Sequence, residues 1–245
     1  MQAFDVCKLH RFDTGSQVFE VPIYQNQSVH WLSLPAKDIL GNPLDGNDRG
    51  VYRSLRAKFP ELRFCSAKQT HSTNIQIIDF DKEFHQIENC DGLVTSLRQT
   101  AIIIRTADCL PIFLFNDQQI ALLHAGHRGI LNNIIRNWHE NFLHESTHLI
   151  LGDHIKHCCF QVHSDVYDRF FNIKELSSGA IRSINKKQWT ISLSEILKNQ
   201  WNQLNLGNER FFDFSNCTCC NIFNHSYRRS GGSLQQRLGH VIFKL

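Results

Sequence analysis

The sequence predicts an α+β fold in which mixed β-sheets are flanked by helices. Short apolar runs rich in Ile and Leu are typical of buried strands, and other segments carry apolar residues at helical spacing. Because these two kinds of segment do not alternate regularly, mixed sheets fit better than a parallel βαβ array. The chain has 245 residues, of which 42% are hydrophobic, so it can bury the core of one large domain or of two small ones.

Few elements are predicted before the centre of the chain. We expect a surface loop at Leu40–Asn47 (LGNPLDGN), where Gly, Pro and Asn cluster, followed by a helix at Arg49–Phe59. Strand-like runs follow at Phe64–Gln69 and Asn74–Asp79.

The centre of the chain predicts three buried strands. Ala101–Thr106 and Leu110–Phe115 are apolar, and Ile120–His124 returns after the four-residue turn Asn116–Gln119 (NDQQ). Gly126 and Gly129 bracket a predicted tight turn. The remaining predicted elements are helices at Ile130–Phe142, Ser164–Phe171 and Leu193–Leu206, and strands at Leu149–Leu151 and Val241–Leu245.

Charge and cysteine content point to a cytoplasmic protein. The net charge of +3 comes without a dense stripe of Lys and Arg interleaved with aromatic residues, so we expect no nucleic-acid partner. The N-terminal segment MQAFDVCKLHRFD carries charges where a signal peptide needs an apolar stretch, and the apolar runs are too short to span a bilayer. Nine clustered cysteines indicate thiols or metal ligands more than a disulfide framework.

Two of the central strands predict a metal site. If Phe115 pairs with Ile120 across the turn, His124 faces Pro111, and Cys109 lies on the same face of its strand as Pro111. Cys109 and His124 are then diagonal neighbours, roughly 7–8 Å apart between Cα atoms. Zinc binds Cys sulfur and His nitrogen, and a catalytic site keeps three protein ligands and an open position. A buried thiol beside a hydrogen-bonded core histidine explains the same pattern, and position alone does not select a third ligand.

Two further kinds of motif resemble metal-binding or redox signatures, but the sequence does not favour those functions for them. The segment His144–His148 (HESTH) matches the H-E-x-x-H signature of metalloproteases, which requires both histidines on one continuing helix. The helical pattern fades near His144, so we interpret the match as accidental. Cys217–Cys220 is a C-x-x-C without a second copy, and the adjacent pair Cys158–Cys159 has a poor spacing for chelation. We therefore favour thiols in the core or near a substrate pocket over a structural zinc site or a redox pair.

Seven segments together resemble one protein family. In order and rough spacing, the chain is similar to the YfiH-like laccase-domain proteins, which are also called multicopper polyphenol oxidases, peptidoglycan editing factors or purine nucleoside phosphorylases. The resemblance implies a single YfiH-like domain over residues 1–245, although residues 1–60 match weakly. The segments are Lys68–Ser72 (KQTHS), Cys90–Thr95 (CDGLVT), Arg105–Leu114 (RTADCLPIFL), His124–Gly129 (HAGHRG), Leu151–Val162 (LGDHIKHCCFQV), Cys217–Cys220 (CTCC) and Ser226–Gly232 (SYRRSGG).

The resemblance also supplies a complete ligand set. In this family the zinc ligands are the His of the Q-x-H block, the Cys of TADC and the first His of the HAG block, which correspond to His71, Cys109 and His124. About one zinc ion per chain is then expected, and copper can bind the same donors in vitro because Cu²⁺ outcompetes Zn²⁺ in intrinsic affinity.

The chain departs from the family at three positions. His127 stands where HAGWRG has Trp, Asp153 replaces a usual Pro, and Ser230 replaces the Asp of the RRDG block. His127 could alter substrate stacking or compete as a metal ligand, and the missing carboxylate at Ser230 puts any role of that group in doubt.

Arginines are the predicted anion ligands. Arg128 precedes the predicted helix at Ile130, whose free N–H groups favour an anion, and its guanidinium offers a bidentate fork. Arg228 and Arg229 lie in the SYRRSGG block, and for them an anion-binding role and an ordinary solvated arginine stay open.

The function implied by the resemblance is that of a zinc-dependent purine nucleoside phosphorylase, with adenosine deaminase activity as a second reaction. Its substrates would be a purine nucleoside and phosphate, and Cys109, His124, Arg128 and Arg229 would be the catalytic residues. The sequence predicts no oligomeric state.

Three different functions stay open. The first is a copper-dependent polyphenol oxidase, but the chain contains no H-x-H pair and its one methionine is Met1, so the sequence argues against copper oxidase chemistry. The second is a peptidoglycan-precursor amidohydrolase that uses Cys109 and His124. The third is a scaffold whose metal is structural.

Overall fold

A computed structural model of the protein describes most of the chain. The predicted loop Leu40–Asn47 lies outside the described residues, as does most of the predicted helix Arg49–Phe59, of which residues 56–57 are helical. None of the helices in the described part is long and apolar enough to cross a bilayer. The described residues are 8–11, 17–23, 27–34, 56–57, 59–80, 84–142, 145–171, 173, 179–222, 224–232 and 237–245.

The described residues form sixteen strands. Those predicted at the centre of the chain are confirmed, with ends that shift by one residue at most. The strands are β1 (Lys8–Arg11), β2 (Gln17–Ile23), β3 (Gln27–Leu34), β4 (Arg63–Ala67), β5 (Ile75–Ile77), β6 (Phe84–Ile87), β7 (Gly92–Thr95), β8 (Thr100–Thr106), β9 (Leu110–Phe115), β10 (Ile120–Ala125), β11 (His148–Leu151), β12 (Gln161–Val162), β13 (Ile181–Asn185), β14 (Gln188–Ile191), β15 (Phe211–Asp213) and β16 (Leu238–Lys244).

Four α-helices and one 3₁₀ turn accompany these strands in the described ranges. The predicted helix Ser164–Phe171 is confirmed with the same ends. The helices are α1 (His127–Leu131), α2 (Ile134–Asn141), α3 (Ser164–Phe171) and α4 (Leu193–Gln203), and the 3₁₀ turn is Asn208–Arg210.

The strands form mixed sheets, as the α+β prediction requires. A seven-stranded sheet has the order β1-β2-β3-β16-β8-β4-β6, and a six-stranded sheet has the order β15-β11-β9-β10-β7-β5. A three-stranded sheet has the order β12-β14-β13. Most neighbours are antiparallel, but β4 runs parallel to β6 and β8, β5 to β7, and β11 to β15.

The six-stranded sheet is the central layer. Alternate side chains of β9 point to opposite faces, as the two-residue period of a strand requires. Leu110, Ile112 and Leu114 pack with the buried faces of the helices. Phe113 and Phe115 pack instead against residues of the seven-stranded sheet. The continuous apolar run of β9 follows from this burial on both faces.

Two predicted elements around Gly126 differ from the structure. The expected tight turn is the helix α1, which begins after Gly126 and contains Gly129, and the expected helix Ile130–Phe142 is broken before α2. Asn133 adopts a left-handed conformation (φ 55°), and its side chain accepts the N–H of Arg136 as the N-cap of α2. Asn is among the residues that tolerate this conformation and that favour the N-cap, so Asn133 separates the two helices.

A buried histidine links three strands of the seven-stranded sheet. The ring of His240 on β16 lies between the hydroxyls of Ser33 on β3 and Thr106 on β8, with nitrogen–oxygen distances of 2.8 and 2.7 Å. Burial lowers the pKa of His240 to about 3. Because a histidine in the unfolded chain titrates near pH 6.5, protons favour unfolding below that pH.

We therefore expect His240 to contribute stability that is present above about pH 6.5 and is lost as the pH falls towards 3. Between pH 7 and pH 5 this one group should lower the free energy of unfolding by about 2 kcal/mol. Denaturant unfolding of His240→Asn should show a correspondingly smaller loss over the same range, because Asn still offers polar atoms to both hydroxyls and does not titrate. His163→Asn is the control, since His163 is exposed. An equal pH dependence in His240→Asn and the wild type would contradict the assignment.

Candidate metal centre

The register of β9 and β10 places Cys109 beside His124. Ile120 pairs with Phe115 and His124 pairs with Pro111, as the sequence predicts. On the other side of β10, Leu123 pairs with Gly92 of β7. The N–H of His124 donates to the carbonyl of Asp91, the residue before Gly92, at 2.7 Å. The side chains of Asp91, Cys109 and His124 therefore meet at the ends of three adjacent strands.

His71 reaches the same place from the loop between β4 and β5. The side-chain amide of Gln69 forms two hydrogen bonds with the backbone of Arg105, accepting its N–H at 2.8 Å and donating to its carbonyl at 2.7 Å. These bonds fix the Q-x-H segment against β8. His71 itself adopts a left-handed conformation (φ 61°) that non-glycine residues rarely use.

The ligand atoms of His71, Cys109 and His124 lie within 4.8 Å of one another. The Sγ of Cys109 is 3.9 Å from Nε2 of His71, and the two imidazole rings meet edge to face with centroids 4.9 Å apart. His124 is buried, Cys109 is partly buried and His71 is exposed. The group therefore opens towards solvent on the side of His71.

The buried carboxylate of Asp91 holds both histidines. One oxygen accepts Nδ1–H of His124 at 2.7 Å and the backbone N–H of His71 at 2.9 Å. The second oxygen accepts the N–H groups of Thr70 and Ser72 and their hydroxyls, at 2.7–3.3 Å. Since a carboxylate can only accept at Nδ1, Nε2 of His124 is the ring nitrogen left to bind a metal, which it does after losing its proton, as in carboxylate–histidine–zinc triads. These backbone contacts also hold His71 in its strained conformation.

The electrostatics of the group favour a metal ligand set. Burial alone would raise the pKa of Asp91, but hydrogen bonds from His124 and Ser72 hold it well below its usual range. Burial would likewise raise the pKa of the Cys109 thiol, but the positive charge of His124 and hydrogen bonds from His124 and His71 lower it to about 6. Burial lowers the pKa of His124, whereas the Cys109 thiolate and Asp91 outweigh it and raise the pKa to about 9. Cys109 is therefore a thiolate at neutral pH, the form that binds metals.

The packing around these donors leaves room for an ion. A Cβ atom added to Gly126 would lie 3.0 Å from Sγ of Cys109 and 3.1 Å from Cδ2 of His71. Glycine at this position therefore keeps the space between the donors open. One thiolate and two imidazoles suit zinc, which in catalytic sites takes three protein ligands and one open position. The donor set and the space both fit a zinc ion.

Two exposed arginines act electrostatically on His127, which follows Gly126 in the chain. Burial lowers the pKa of His127, and the nearby charges of Arg128, His71 and Arg169 lower it further, whereas Asp165 opposes them. His127 is therefore neutral at neutral pH, and the charges of both arginines act on it. The group of three donors does not include His127. Both arginines are exposed, so each can present its guanidinium to an anion.

The comparisons with known proteins agree with this architecture. The model of the multi-copper polyphenol oxidoreductase laccase family matches residues 45–243. The chain belongs to this family. Its fold resembles the crystal structure of the hypothetical protein YfiH from Bacillus licheniformis, with a TM-score of 0.76, 19% sequence identity and 98% of each chain covered. The predicted family and the α+β class are therefore confirmed.

Curated relatives carry nucleoside-related names. A purine nucleoside phosphorylase of Clostridium acetobutylicum is 28% identical over 217 residues, which span 83% of this chain and 86% of the relative. The adenosine deaminase RL5 from an unknown prokaryotic organism is 31% identical over 127 residues, 44% of this chain and 48% of that protein. These names suggest an enzyme that acts on small molecules.

The two arginines of the SYRRSGG block point to backbone carbonyls. Arg228 donates to the carbonyls of Cys159 and Gln161. Arg229 donates through both terminal nitrogens, so few of its hydrogen atoms face outward. The anion-binding role of Arg229 stays a prediction, and its contacts favour a role in holding the preceding loop. The carbonyls that Arg229 contacts belong to Thr218, Cys219, Asn221 and Asn224.

Asp153 and Ser230, which depart from the family pattern, both form hydrogen bonds. The Asp153 carboxylate accepts the N–H of Asn216 and the side-chain amide of Asn224, both at 2.6 Å, and so connects two parts of the loop after β15. The hydroxyl of Ser230 donates to the carbonyl of Tyr227 at 3.1 Å.

Residues 145–148 of the HESTH motif are not helical. His144 lies outside the described residues, Ser146 has a positive φ of 55°, and His148 begins β11. The His148 ring stacks on Phe115 and Phe212, with centroids 5.3 and 6.3 Å away. Because residues 145–148 are not helical, two histidines on one continuing helix, which the protease signature requires, are excluded.

Sequence reasoning missed three residues that act on the donor group or on His127 in this chain. Asp91 and Gln69 stand inside the matched motifs, and Arg169 stands on α3. The signal for Asp91 was its position two residues before Leu93, a residue packed between the sheets, because side chains two apart on a strand share a face.

Substituting Asp91 should weaken metal binding. Asp91→Asn keeps the size of the side chain but removes the charge that orients His124 and accepts the loop N–H groups. Loss of such a partner typically lowers metal affinity by about 10- to 100-fold. Competition with a chromophoric chelator should measure this decrease. Asp79→Asn, at an exposed position, is the matched control. Wild-type affinity in folded Asp91→Asn would refute the orienting role.

A paired glycine substitution tests the space between the donors. In Gly126→Ala the new methyl group crowds Cys109 and His71, so zinc affinity should fall by roughly tenfold or more. In Gly129→Ala, three residues away, the nearest atom would be 3.5 Å from the new Cβ, an ordinary contact, and zinc binding should stay unchanged. Zinc content and circular dichroism of the two variants separate a local effect from misfolding. Equal zinc affinity in both variants would show that the ion lies elsewhere.

Proposed function

We propose that this chain is a zinc-dependent purine nucleoside phosphorylase with adenosine deaminase activity. The observation that supports the proposal best is the group of His71, Cys109 and His124, which opens to solvent on one side. Three protein ligands with an open position are typical of catalytic zinc sites, whereas structural sites are closed. The names of the curated relatives supply the reaction class.

Each neighbouring residue has a role in this proposal. Asp91 fixes the tautomer of His124 and the position of His71. Arg128, which is exposed beside the metal donors, holds the phosphate through charge-assisted hydrogen bonds. Arg169 adds a second positive charge at the same mouth. His127 is neutral and presents a flat ring for stacking on the purine base, where the family usually has Trp.

The three donors would hold the zinc ion, which supplies Lewis acidity and lowers the pKa of a bound water. Copper can occupy the same donors in vitro. A multicopper oxidase needs further histidine clusters, and within the described ranges the only additional group of metal-binding side chains consists of four cysteines. The geometry therefore favours zinc-dependent nucleoside chemistry over phenol oxidation.

One observation favours a second candidate function. Cys109, His124 and Asp91 also form a chain of nucleophile, base and orienting carboxylate, with the His124–Asp91 contact at 2.7 Å. A thiolate of lowered pKa beside an oriented histidine is the arrangement of cysteine hydrolases. The second candidate is therefore a peptidoglycan-precursor amidohydrolase, with Cys109 as nucleophile in the metal-free protein.

Product analysis tests the proposal. Zinc-loaded protein should convert inosine and adenosine to free base and ribose 1-phosphate only when phosphate is present, and deamination should give inosine without phosphate.

Arg128→Ala removes one charge-assisted contact to the anion, so the KM for phosphate should rise roughly tenfold or more, with little change in the KM for the nucleoside. Arg136→Ala, on the exposed side of α2, is the control. Steady-state kinetics with each substrate varied in turn provides the measurement.

Two results distinguish the phosphorylase from the amidohydrolase. Loss of both nucleoside reactions on chelation and in Cys109→Ala supports zinc catalysis. If adenosine, inosine and guanosine all yield no base, inosine or ribose phosphate at full zinc occupancy, the phosphorylase proposal fails, and hydrolysis of peptidoglycan precursors by metal-free protein becomes the reaction to assay.

A further inference from the structure

Four cysteine thiols from two loops meet outside the three-donor centre. Cys158 and Cys159 lie between β11 and β12, and Cys217 and Cys220 lie in the loop after β15. Their four Sγ atoms are all within 4.8 Å of one another. Cys220 is 3.6 Å from Cys158 and 3.4 Å from Cys159, measured between sulfurs. The adjacent spacing of Cys158 and Cys159 argued against chelation in the sequence, but the fold supplies two more donors.

The spacing of these sulfurs matches a metal tetrahedron. Zn–S bonds of about 2.3 Å place the four sulfurs of a tetrahedral site about 3.8 Å apart. The separations of Cys220 Sγ from its two neighbouring sulfurs, 3.4 and 3.6 Å, lie just below that value. A disulfide requires about 2.05 Å, and all four thiols are free. A redox pair would need two cysteines, whereas here four converge.

Backbone hydrogen bonds hold the two loops in this arrangement. A short parallel bridge joins His154 to Cys217. Across it, the N–H of His154 donates to Asn216 at 3.2 Å and the N–H of Thr218 donates to His154 at 3.0 Å. The N–H of Lys156 points to Sγ of Cys217 at 3.5 Å. N–H groups directed at a sulfur stabilise it as a thiolate, and a bridge between the loops presets the positions of the donors.

Positive charge lies next to the cluster. The guanidinium of Arg228 donates to the carbonyl of Cys159 at 3.2 Å, whereas the ammonium of Lys156, two residues before Cys158, pairs with Asp213 at 2.9 Å. Zinc with four thiolates carries a net charge of about −2, so the guanidinium of Arg228 offsets part of the charge of such a site.

We propose that Cys158, Cys159, Cys217 and Cys220 bind a structural zinc ion. The four thiols lose their protons as they bind Zn²⁺, and no oxidation is involved. Four protein ligands close the coordination sphere, so this ion takes no substrate. It clamps the loop before β12 to the loop after β15, and the expected zinc content becomes about two ions per chain instead of one.

The clamped loop is connected to the three-donor centre through hydrogen bonds to Asp108. One carboxylate oxygen of Asp108 accepts the hydroxyl of Thr218 at 2.6 Å, and the second accepts the N–H of Arg228 at 2.7 Å. Asp108 precedes Cys109 and has a positive φ of 86°. The clamped loop therefore supports the strained residue that precedes a ligand of the first site.

The first experiment uses protein in which the cluster is intact. Cys109→Ala removes a ligand of the three-donor centre, and after purification without added metal it should retain about one zinc per chain. Loaded with Co²⁺, it should show the charge-transfer and d–d absorption of tetrahedral sulfur ligation. These results are expected whether or not the three-donor centre binds zinc, so they do not depend on the proposed function. Metal-free Cys109→Ala that takes up no Co²⁺ would overturn the proposal.

A second experiment assigns the ligands. Cys220→Ser should lower the zinc content by about one ion, whereas Cys219→Ser should retain it, because the fourth donor of the group is Cys220 and the thiol of its neighbour Cys219 stands outside it. Combining Cys109→Ala with Cys220→Ser should leave no bound zinc. Retention of zinc in that folded double variant, or a Cys158–Cys220 disulfide in metal-free protein as isolated, would rule out the four-thiolate site.

Discussion

The buried carboxylate of Asp91 accepts six hydrogen bonds, from the Thr70–Ser72 segment and from the ring of His124. A fully buried carboxylate without such partners would cost several kcal/mol, so burial of Asp91 is tolerable only while both elements stay in place. This constraint acts in two directions. The loop is held in a backbone conformation that His71 would otherwise avoid, and His124 is held in the tautomer that directs Nε2 at the metal donors. A single charge thus aligns two ligands that lie on different elements.

Local geometry explains which part of this centre the sequence could predict. Cys109 and His124 belong to neighbouring strands joined by a four-residue turn. The length of the turn fixes the strand register, and the register determines that both side chains point to the same face of the sheet. His71 comes from a loop whose path depends on the amide of Gln69 and on Asp91. Strand periodicity carries no information about such a path, and resemblance to a family was needed to select this histidine from fourteen.

The same reasoning explains the predictions that failed or were missing. The break between α1 and α2 depends on the left-handed conformation of Asn133, which lies inside an otherwise helical apolar pattern. The spacing of apolar residues carries no information on the backbone conformation of a single residue. The four-cysteine cluster joins two segments, and Cys158 and Cys220 are 62 residues apart in sequence. Their meeting depends on parallel pairing of β11 with β15, a long-range contact that spacing rules do not anticipate.

The two groups of metal donors differ in the number of ligands that they offer, and the arginines near them differ in their hydrogen bonds. The three donors would leave one position of a tetrahedral zinc site open, whereas the four thiols would complete such a site by themselves. Arg228 and Arg229 donate to carbonyls of the loops that carry those thiols, and the N–H of Arg228 is bound by Asp108. A guanidinium whose donors are already engaged would have to give up those bonds to take an anion. These contacts favour a role of Arg228 and Arg229 in holding the loops, and the anion-binding role of Arg229 stays a prediction.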